Sequence, residues 1–289
     1  MSPPSSQDRY ITTCPVGCGA DLVVTDIVMP EGRLLRCRAC GQLISQLSES
    51  AYCASMRAID VPDYHLPDEE ASDRRMENAT RRLTRVCELL SKPASEVRLL
   101  DVSCARGDFV AAAQTLGFDA EGVEPAPHSV EAGRATGRKL HTGRLEEQGF
   151  PDASFDAAAL FEVVEQLREP ILKLHEIRRI LKPGGVLLLS TGNCASWTAR
   201  VLKQDWSYFQ TSTHAGHVSF FNPRSLALAG QRAGFEVAGL YTARVRLVIK
   251  GKVSGPIYAA GKLAAELLNY PARLLGRGHD MIAYLRRVG

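Results

Sequence analysis

Residues 97–190 alternate apolar, strand-like runs with amphipathic helical patterns, and this alternation restricts the fold more than any other feature of the chain. The predicted strands and helices are, in order, residues 97–102, 108–116, 120–123, 129–138, 155–161, 170–181 and 186–190. Parallel strands joined by helices form one sheet that is covered on both faces. The pattern therefore predicts a doubly wound, Rossmann-like α/β domain with a mainly parallel sheet, which binds ligands at the carboxyl ends of its strands.

The segments on either side of this core divide the chain into three parts. Residues 1–47 contain Cys-Gly pairs and short β-type runs, and residues 48–67 are punctuated by serine and proline and are predicted to be a linker. Residues 68–289 form the main domain, which begins with an amphipathic helix over residues 68–90. Near its end, residues 251–276 are predicted to be a helical insertion before a last strand.

Charge and hydropathy limit the function classes that fit the chain. Its 289 residues have a formal net charge of +3, which alone does not indicate a nucleic-acid partner, although residues 241–289 carry nine basic and two acidic side chains. The first residues lack the apolar core of a signal peptide, and no apolar run approaches the roughly 20 residues that span a bilayer. We therefore expect a cytoplasmic protein whose eight cysteines do not form a disulfide framework.

Four of the cysteines have the spacing of a metal site. Cys14 and Cys18 form a CxxxC pair, Cys37 and Cys40 form a CxxC pair, and 18 residues separate the two pairs. A glycine follows Cys18 and another follows Cys40, so that backbone amides can turn towards sulfur. Four thiolates on two tight turns suit tetrahedral zinc and leave no coordination position open for chemistry. A structural zinc ribbon is therefore predicted, with free or core-buried cysteines as the alternative.

The turn after the first predicted strand of the main domain has the features of a cofactor site. The sequence LLDVSCARG, residues 99–107, leaves an apolar strand with Asp101 and turns through small residues into a helix. A cofactor can lie close to the backbone there, and the helix N-terminus can face its carboxylate. Glu124 ends the next strand, 23 residues after Asp101, and an acid so placed typically binds ribose hydroxyls.

Five blocks occur in order over residues 97–240, and they carry a family resemblance. The blocks are LLDVSCARGDF (99–109), GVEP (122–125), SFDAAALFEVVEQL (154–167), LHEIRRILKPGGVLLLSTGN (174–193) and GHVSFFNPRSLALAGQRAGFEV (216–237). Together they resemble class I S-adenosylmethionine-dependent methyltransferases, in the branch similar to ubiquinone-biosynthesis O-methyltransferases and bacterial sugar and polysaccharide methyltransferases. The resemblance implies an enzyme that methylates an oxygen of a small-molecule, sugar or lipid-linked glycan acceptor.

The resemblance also implies which residues hold S-adenosylmethionine. They are Asp101, Ser103, Ala105, Gly107, Glu124, Leu145, Phe161 and Glu162. Asp101 and the turn through Ser103, Ala105 and Gly107 would surround the methionine end of the cofactor, and Glu124 would bind the ribose hydroxyls. Leu145 would lie beside the adenine. Phe161 and Glu162 would close the site at the end of the fourth strand of the family fold.

Several positions depart from the family pattern. Ser103 and Ala105 stand where glycines are usual, Arg144 stands where an acid commonly faces the adenine amine, and Gln166 stands where a histidine frequently follows Glu165. A non-glycine residue in a left-handed turn is strained by roughly 1 kcal/mol. A protein that binds the cofactor weakly, or serves as an inactive cofactor-binding scaffold, is therefore an alternative to the active enzyme.

Catalysis on an oxygen needs a general base near the acceptor hydroxyl. His217, in the segment GHVSFF, is the first candidate, because this segment lines the acceptor side in the resembling branch. His214 is the second candidate, and Glu165 is a weaker one. The alternative for His217 is a structural hydrogen bond that holds its loop. The aromatic residues within 206–209 are expected to pack in the core, with an apolar lip over the acceptor as the alternative.

The helix predicted over residues 256–275 lies among basic residues, which are Arg244, Arg246, Lys250, Lys252, Arg273 and Arg277. We expect its apolar face to pack on the core and its basic face to be solvated. The alternative is peripheral contact of residues 244–277 with an anionic membrane surface or a phosphorylated substrate.

An RNA methyltransferase is a further alternative, because zinc ribbons joined to this fold can present nucleic acid. Arg33, Arg36 and Arg38 cluster near the second cysteine pair. The net charge of residues 1–60 is −1, however, which is a poor match to a phosphate backbone. Nucleic acid is therefore the less favoured partner.

Overall fold

The computed structural model of the protein describes residues 8–58, 72–209 and 216–289. The strands are β1 (Leu22–Met29), β2 (Gly32–Cys37), β3 (Leu43–Ile44), β4 (Arg98–Val102), β5 (Asp119–Glu124), β6 (Leu140–Thr142), β7 (Phe155–Phe161), β8 (Leu181–Gly192), β9 (Ser219–Phe220), β10 (Phe235–Ala243) and β11 (Asp280–Arg287). The α-helices are α1 (Glu49–Ala58), α2 (Ser72–Leu90), α3 (Asp108–Thr115), α4 (Pro127–Arg134), α5 (Pro170–Ile180), α6 (Trp197–Leu202), α7 (Pro223–Arg232) and α8 (Gly255–Leu274).

Seven strands form the main sheet, in the order β10-β11-β8-β7-β4-β5-β6. The strands from β6 to β8 in this order run parallel, whereas β11 is antiparallel to both of its neighbours. The predicted doubly wound, mainly parallel α/β fold is therefore confirmed. Because the connections run to opposite sides of β4, the carboxyl ends of β4, β5 and β7 converge on one ligand-binding edge.

The strands of this sheet are apolar because helices cover both of its faces. All residues of β7 before Phe161 are buried, as are those of β8 from Gly185 onward. One face packs against α2, α3 and α4, and the other packs against α5 and α7. Each large aliphatic side chain buried there contributes roughly 1.5–3 kcal/mol. The two apolar layers therefore hold the ligand-binding edge in place.

Strand β6 and helix α6 of the main domain are short elements that were not predicted from the sequence. Strand β6 has three residues and adds an edge to the sheet beside β5, and α6 has six residues. Neither is long enough to show a periodic apolar pattern. The longer predicted helices and strands agree with the structure to within a few residues.

A second sheet joins the N-terminal region to the main domain. Its order is β1-β2-β3-β9, and its last strand belongs to the main domain. Leu43 pairs with Phe220 and Ile44 pairs with Ser219, in antiparallel register. The predicted module of residues 1–47 is therefore more than an appendage, although its boundary stays a prediction. A two-residue strand has no signature in the sequence, which is why the pairing was not foreseen.

The segment predicted to be a linker, residues 48–67, contains helix α1. The amide of Ala51 donates to Ser48 Oγ (3.3 Å) at its start, and the ring of Tyr52 stacks on Tyr10 with centroids 4.0 Å apart. Ser55 Oγ accepts a hydrogen bond from the amide of Gly216 (3.1 Å). The serines that suggested a linker therefore begin this helix and connect it to the main domain.

Helix α8 lies between the last two strands, as predicted, but several large apolar side chains lie on its solvent-facing side. The side chains that are 61–73% exposed are Leu263, Leu267, Tyr270 and Leu274. The buried side consists mainly of small residues, Ala265 and Ala272, packed on Val245. The expectation that its large apolar side chains pack on the core is therefore wrong for Leu263 and Leu267, whereas Leu268 does pack against this cluster. Small side chains allow the closest approach of the helix to the sheet. Across the described ranges, no helix is both long and apolar enough to cross a membrane.

Candidate functional site

Three alternate residues of the turn between β4 and α3 have the left-handed backbone conformation that glycine favours, although only one of them is glycine. Ser103, Ala105 and Gly107 have φ angles of 58°, 49° and 76°. The amides of Ser103 (2.8 Å) and Cys104 (3.2 Å) both donate to the carbonyl of Val123, which fixes the turn against β5. The left-handed conformation costs an L-residue roughly 1–2 kcal/mol. Ser103 and Ala105 therefore adopt the same turn as glycine would, but with backbone strain.

Asp101, the acid near the end of β4, is 3% exposed. Burial raises its pKa well above the usual range of an aspartate, and the charge of Glu124 raises it further. A cofactor ammonium group against this carboxyl group would favour its ionised form. The position therefore fits the implied contact with the methionine end of S-adenosylmethionine.

Glu124, the acid that ends β5, braces the strained turn. Its Oε2 accepts a hydrogen bond from the amide of Ala105 (2.9 Å), and its Oε1 accepts one from the amide of Ala126 (2.9 Å). Each carboxylate oxygen has two lone pairs, so these bonds leave acceptor capacity for ribose hydroxyls. The implied role of Glu124 is compatible with this geometry and stays a prediction.

The other implied cofactor residues follow neighbouring strands at the same edge. Leu145, in the turn after β6, is 2% exposed, and the ring of Phe161 at the end of β7 meets Phe109 edge-on with centroids 4.7 Å apart. Glu162 has a φ angle of 57°, accepts a hydrogen bond from Ser190 Oγ (3.0 Å), and has a pKa raised by burial. The structure therefore places all eight residues on the carboxyl side of adjacent strands.

Arg82 of α2 reaches this edge and was not among the predicted residues. Its guanidinium carbon lies 5.2 Å from the ring centroid of Phe161, within cation–π distance. Burial lowers its pKa, and its Nε has no hydrogen-bond partner among the described residues. Arg82 directly precedes the buried Leu83 on the inner side of the amphipathic helix α2. A basic residue at such a position is the sequence signal that could have identified it.

Arg144 and Gln166, two of the departures from the family pattern, make local contacts. The backbone amide of Arg144 donates to Glu147 Oε2 (2.7 Å), and the Arg144 side chain is exposed. Gln166 Nε2 donates to the carbonyl of Glu162 (3.0 Å). Gln166 therefore braces the loop after β7 at the position where the family frequently has histidine.

Glu165 and His217, which are far apart in the sequence, meet in the interior beyond β7. They are 1% and 2% exposed, and His217 Nε2 lies 3.8 Å from Glu165 Oε1. The other ring nitrogen, Nδ1, lies 3.1 Å from the carbonyl oxygen of Tyr208. Burial raises the pKa of Glu165 well above its usual range, and the negative charge of Glu162 raises it further. The two candidate residues therefore form one buried pair.

The aromatic residues before this segment are core residues. Trp206, Tyr208 and Phe209 are at most 8% exposed, which fits the expected packing and leaves no exposed apolar lip. Trp206 Nε1 donates to Nδ1 of His279 (2.9 Å), a histidine that the sequence reasoning missed and whose pKa burial lowers to about 4. His214, the second predicted base, lies outside the described residues.

The four predicted metal ligands come together at one point. The Sγ atoms of Cys14, Cys18, Cys37 and Cys40 lie within 4.8 Å of one another, and three of these cysteines are buried. Sulfurs bound to zinc at about 2.3 Å in a tetrahedron are about 3.8 Å apart, so the donor set fits this metal closely. Gly41, with a φ angle of 74°, makes the turn after the second pair.

Side chains of the main domain hydrogen-bond to both cysteine turns. Asn222, which caps α7, donates from Nδ2 to the carbonyl of Cys40 (3.1 Å). Arg232, at the end of α7, donates to the carbonyl of Val16. Cys14, Val16 and Cys37 also belong to the same apolar cluster as one face of the main sheet. The cysteine cluster is therefore built into the wall of the main domain.

Comparison with known protein families matches residues 72–239 to a family described as a methyltransferase domain. The chain is similar to the ubiquinone biosynthesis O-methyltransferase of Azorhizobium caulinodans, with 28% identity over 62% of this chain and 71% of that protein. The enzyme of the same name from Cereibacter sphaeroides is 30% identical over 41% of this chain and 56% of its own length. The O-methyltransferase resE of Aspergillus sclerotiorum is 32% identical over 43% of this chain, which spans 50% of that relative.

Solved structures share the fold. A SAM-dependent methyltransferase from Archaeoglobus fulgidus has a TM-score of 0.53 and 17% identity, covering 73% of this chain and 94% of that chain. The [4+2]-cyclase SpnF has a TM-score of 0.51 and 20% identity, covering 78% and 85%. The cyclase illustrates that this fold does not by itself determine the reaction. The family match spans more than half of the sequence, however, and the chain therefore belongs to the methyltransferase domain family as a class I S-adenosylmethionine-dependent methyltransferase.

Proposed function

We propose that this methyltransferase transfers the methyl group to a hydroxyl oxygen of a small molecule, a sugar or a lipid-linked glycan. The observation that carries the proposal is the buried pair of Glu165 and His217, which lies next to the cofactor edge. Transfer to a hydroxyl requires removal of a proton, and histidine is the commonest general base. Relatives that are named O-methyltransferases support the same chemistry.

When bound, S-adenosylmethionine supplies an electrophilic methyl group for an in-line displacement, in which positioning provides much of the acceleration. A proton on His217 Nδ1, donated to the carbonyl of Tyr208, leaves the lone pair on Nε2. Nε2 is thereby placed to accept the proton that an acceptor hydroxyl would lose when its oxygen is methylated. Glu165 Oε1 lies 3.8 Å from Nε2, and only the ionised form of this carboxyl, whose pKa burial raises, would stabilise the charged imidazole ring. Because His217 is 2% exposed, acceptor binding must first displace the side chains that cover it.

Isotopic labelling tests the reaction class directly. Cell extract is incubated with the purified, zinc-loaded protein and S-adenosylmethionine labelled in the methyl group, and the labelled products are analysed by mass spectrometry. The expected product carries the label on an oxygen. Label on nitrogen or carbon would contradict O-methylation, and labelled RNA would support the RNA alternative instead.

Substitution tests the role of His217 once an acceptor is known. His217→Asn is expected to lower kcat about 10²–10⁴-fold, because it removes the base, while calorimetry shows unchanged affinity for S-adenosylmethionine. His175→Asn replaces an exposed histidine of α5 and serves as the matched control. Glu165→Gln is expected to shift the pH profile of kcat. Substitution of a residue with a purely structural role would leave that profile unchanged. An active His217→Asn enzyme would show that His217 only holds its loop.

We also propose that Cys14, Cys18, Cys37 and Cys40 bind one structural zinc ion. Their mutual distances and the chemistry of four thiolates support this. Elemental analysis is expected to find one zinc per chain in protein purified without chelator. Stable wild-type protein that contains no zinc would refute the site.

We propose further that α8 rests on an anionic membrane surface, where a lipid-linked acceptor would be presented. Its exposed stripe of four large apolar side chains is unusual for a surface helix, and Lys262 and Arg273 are exposed on the same helix. The surplus of basic residues in 241–289 complements anionic lipid.

Vesicle sedimentation tests this contact. The protein is expected to bind vesicles containing phosphatidylglycerol more strongly than vesicles of phosphatidylcholine alone, and Leu267→Glu is expected to release it. Leu172→Glu, at a 60% exposed position on α5, is the matched control. Equal binding of both variants, or concentration-dependent dimerisation that Leu267→Glu abolishes, would exclude the membrane as the partner of α8.

A further inference from the structure

A cleft between the N-terminal sheet and α6 is rich in basic side chains. Its volume is about 400 Å³. The basic residues that line it are Arg36, Arg200, Lys203 and Arg277. Asp26 is the one acid among the described lining residues, so positive charge prevails. We refer to this cavity as the basic cleft.

Carboxylates of the described residues do not form ion pairs with the exposed cations of the basic cleft. In the described part of the chain, no carboxylate forms an ion pair with Arg36, Arg200 or Lys203, whereas nearby Lys252 pairs with Asp205. Like charges around one cavity repel each other, and a bound anion removes that repulsion. The cleft therefore has the electrostatics of an anion site.

The basic cleft lies at the ligand-binding edge of the main sheet. Cys194 and Ala195, in the loop after β8, form part of its wall. Arg277 donates from Nη1 to the carbonyl of Ala195 (3.0 Å), which holds its guanidinium group against that wall. Asn193 Nδ2 donates to the carbonyl of Gly278 (2.8 Å) and fixes the same loop. Ligands of doubly wound sheets bind at this end of the strands.

A metal centre alone does not account for the four cations. Cys40 lines the cleft, and zinc bound by four thiolates would carry a net charge of −2. Arg36 directly precedes Cys37 and belongs to the cysteine side of the cleft. Arg200 and Lys203, in contrast, extend from the main domain in and just after α6. The cations outnumber the negative charges even with zinc and Asp26 included.

We propose that the basic cleft binds a phosphate or pyrophosphate group of a small molecule. Its volume is typical of small-molecule sites, and guanidinium groups match the geometry of phosphate oxygens. A concave cleft suits one compact group, whereas an RNA backbone would need a continuous basic track. The inference goes beyond methyl transfer and does not depend on the identity of the methyl acceptor.

Calorimetry on the full-length, zinc-loaded protein tests the proposal with three probes: inorganic pyrophosphate, a nucleoside diphosphate, and a polyprenyl monophosphate in detergent micelles. Saturable binding of pyrophosphate is expected. The double variant Arg200→Ala/Lys203→Ala is expected to weaken it about tenfold or more, because both lost side chains are exposed and face the anion. Tighter binding of the nucleotide or of the lipid then distinguishes a soluble source from a lipid-linked one.

The matched control is Arg74→Ala/Lys262→Ala, which removes the same charge from exposed positions outside the cleft. Its pyrophosphate affinity is expected to equal that of the wild type. Absence of saturable pyrophosphate binding in the wild type would overturn the proposal, as would equal weakening in both double variants. Loss of zinc from Arg200→Ala/Lys203→Ala with unchanged pyrophosphate binding would show that the cations serve the metal centre instead.

Discussion

The cofactor side and the cysteine side of the molecule are built in different ways. On the cofactor side, the implied binding residues all come from one stretch, residues 101–162, in which each strand is followed by its own loop. On the cysteine side, contacts join distant parts of the chain, since Asn222 and Cys40 are 182 residues apart and Arg232 and Val16 are 216 apart. The first side depends on local turns, and the second depends on tertiary contacts.

This difference has a functional consequence, because the distant contacts end beside the candidate base. Strand β9 pairs with β3 and follows His217 by two residues, and the amide of Val218 donates to the carbonyl of Glu165 (2.9 Å). The cysteine cluster therefore supports the segment that carries His217. The implied cofactor residues, in contrast, lie on strands of the main sheet and on the loops that follow them.

The largest expected effect comes from removing one cysteine ligand. Cys37→Ser is expected to abolish zinc binding and O-methylation while leaving the affinity for S-adenosylmethionine unchanged, because β9 and the Glu165–His217 pair lose their support and the cofactor turn does not. Structural zinc sites contribute on the order of 10 kcal/mol to the folding of the segments that hold them. Elemental analysis, calorimetry and a methylation assay measure the three quantities.

Cys53→Ser is the matched control, because Cys53 is an exposed cysteine of α1 outside the cluster. It should retain zinc, cofactor affinity and activity. If Cys37→Ser also lost S-adenosylmethionine binding, the two sides would be one cooperative unit, and the contrast between them would be wrong.

The same contrast explains what could be predicted from the sequence. The order of strands and helices, the left-handed turn and the cysteine ligands follow from local patterns of a few residues, and the structure has them where they were expected. The pairing of β3 with β9, the place of Arg82 over Phe161 and the outward apolar face of α8 depend on which distant surfaces meet. Periodicity and spacing carry no information about such contacts.

An intermediate effect is expected from the buried acid of the cofactor side. Asp101→Asn should weaken S-adenosylmethionine binding by about 2–5 kcal/mol, because the cofactor ammonium group loses its charged partner. In the wild type, affinity should fall as the pH drops through the raised pKa of Asp101, since only the ionised form pairs with the ammonium group. Calorimetry over a pH series measures both, with Asp119→Asn, an exposed acid of β5, as the control.

The same substitution should stabilise the cofactor-free protein. The pKa of Asp101 is higher in the folded than in the unfolded protein. At a pH between these two pKa values, the unfolded chain therefore binds fewer protons than the folded chain. The free energy of unfolding consequently falls as the pH rises through this range. Asp101→Asn removes the titrating group and with it this pH-dependent cost. Denaturant titrations that show equal pH dependence in the variant and the wild type would contradict the assignment.

The smallest effect is expected at the strained turn, where Ala105→Gly relieves the left-handed conformation. Relief of the left-handed conformation should stabilise the folded protein by roughly 1–2 kcal/mol. The greater flexibility of glycine in the unfolded chain costs about 0.4–1 kcal/mol. The free energy of unfolding should therefore increase by about 0.5–1 kcal/mol. The bond from the amide at position 105 to Glu124 involves only the backbone and is kept. Ala111→Gly, within helix α3, has no strain to relieve and should lose about 0.5–1 kcal/mol. If denaturant titration showed that Ala105→Gly and Ala111→Gly are equally destabilised, the turn would not be strained. The cofactor side would then tolerate alanine in place of glycine at no cost.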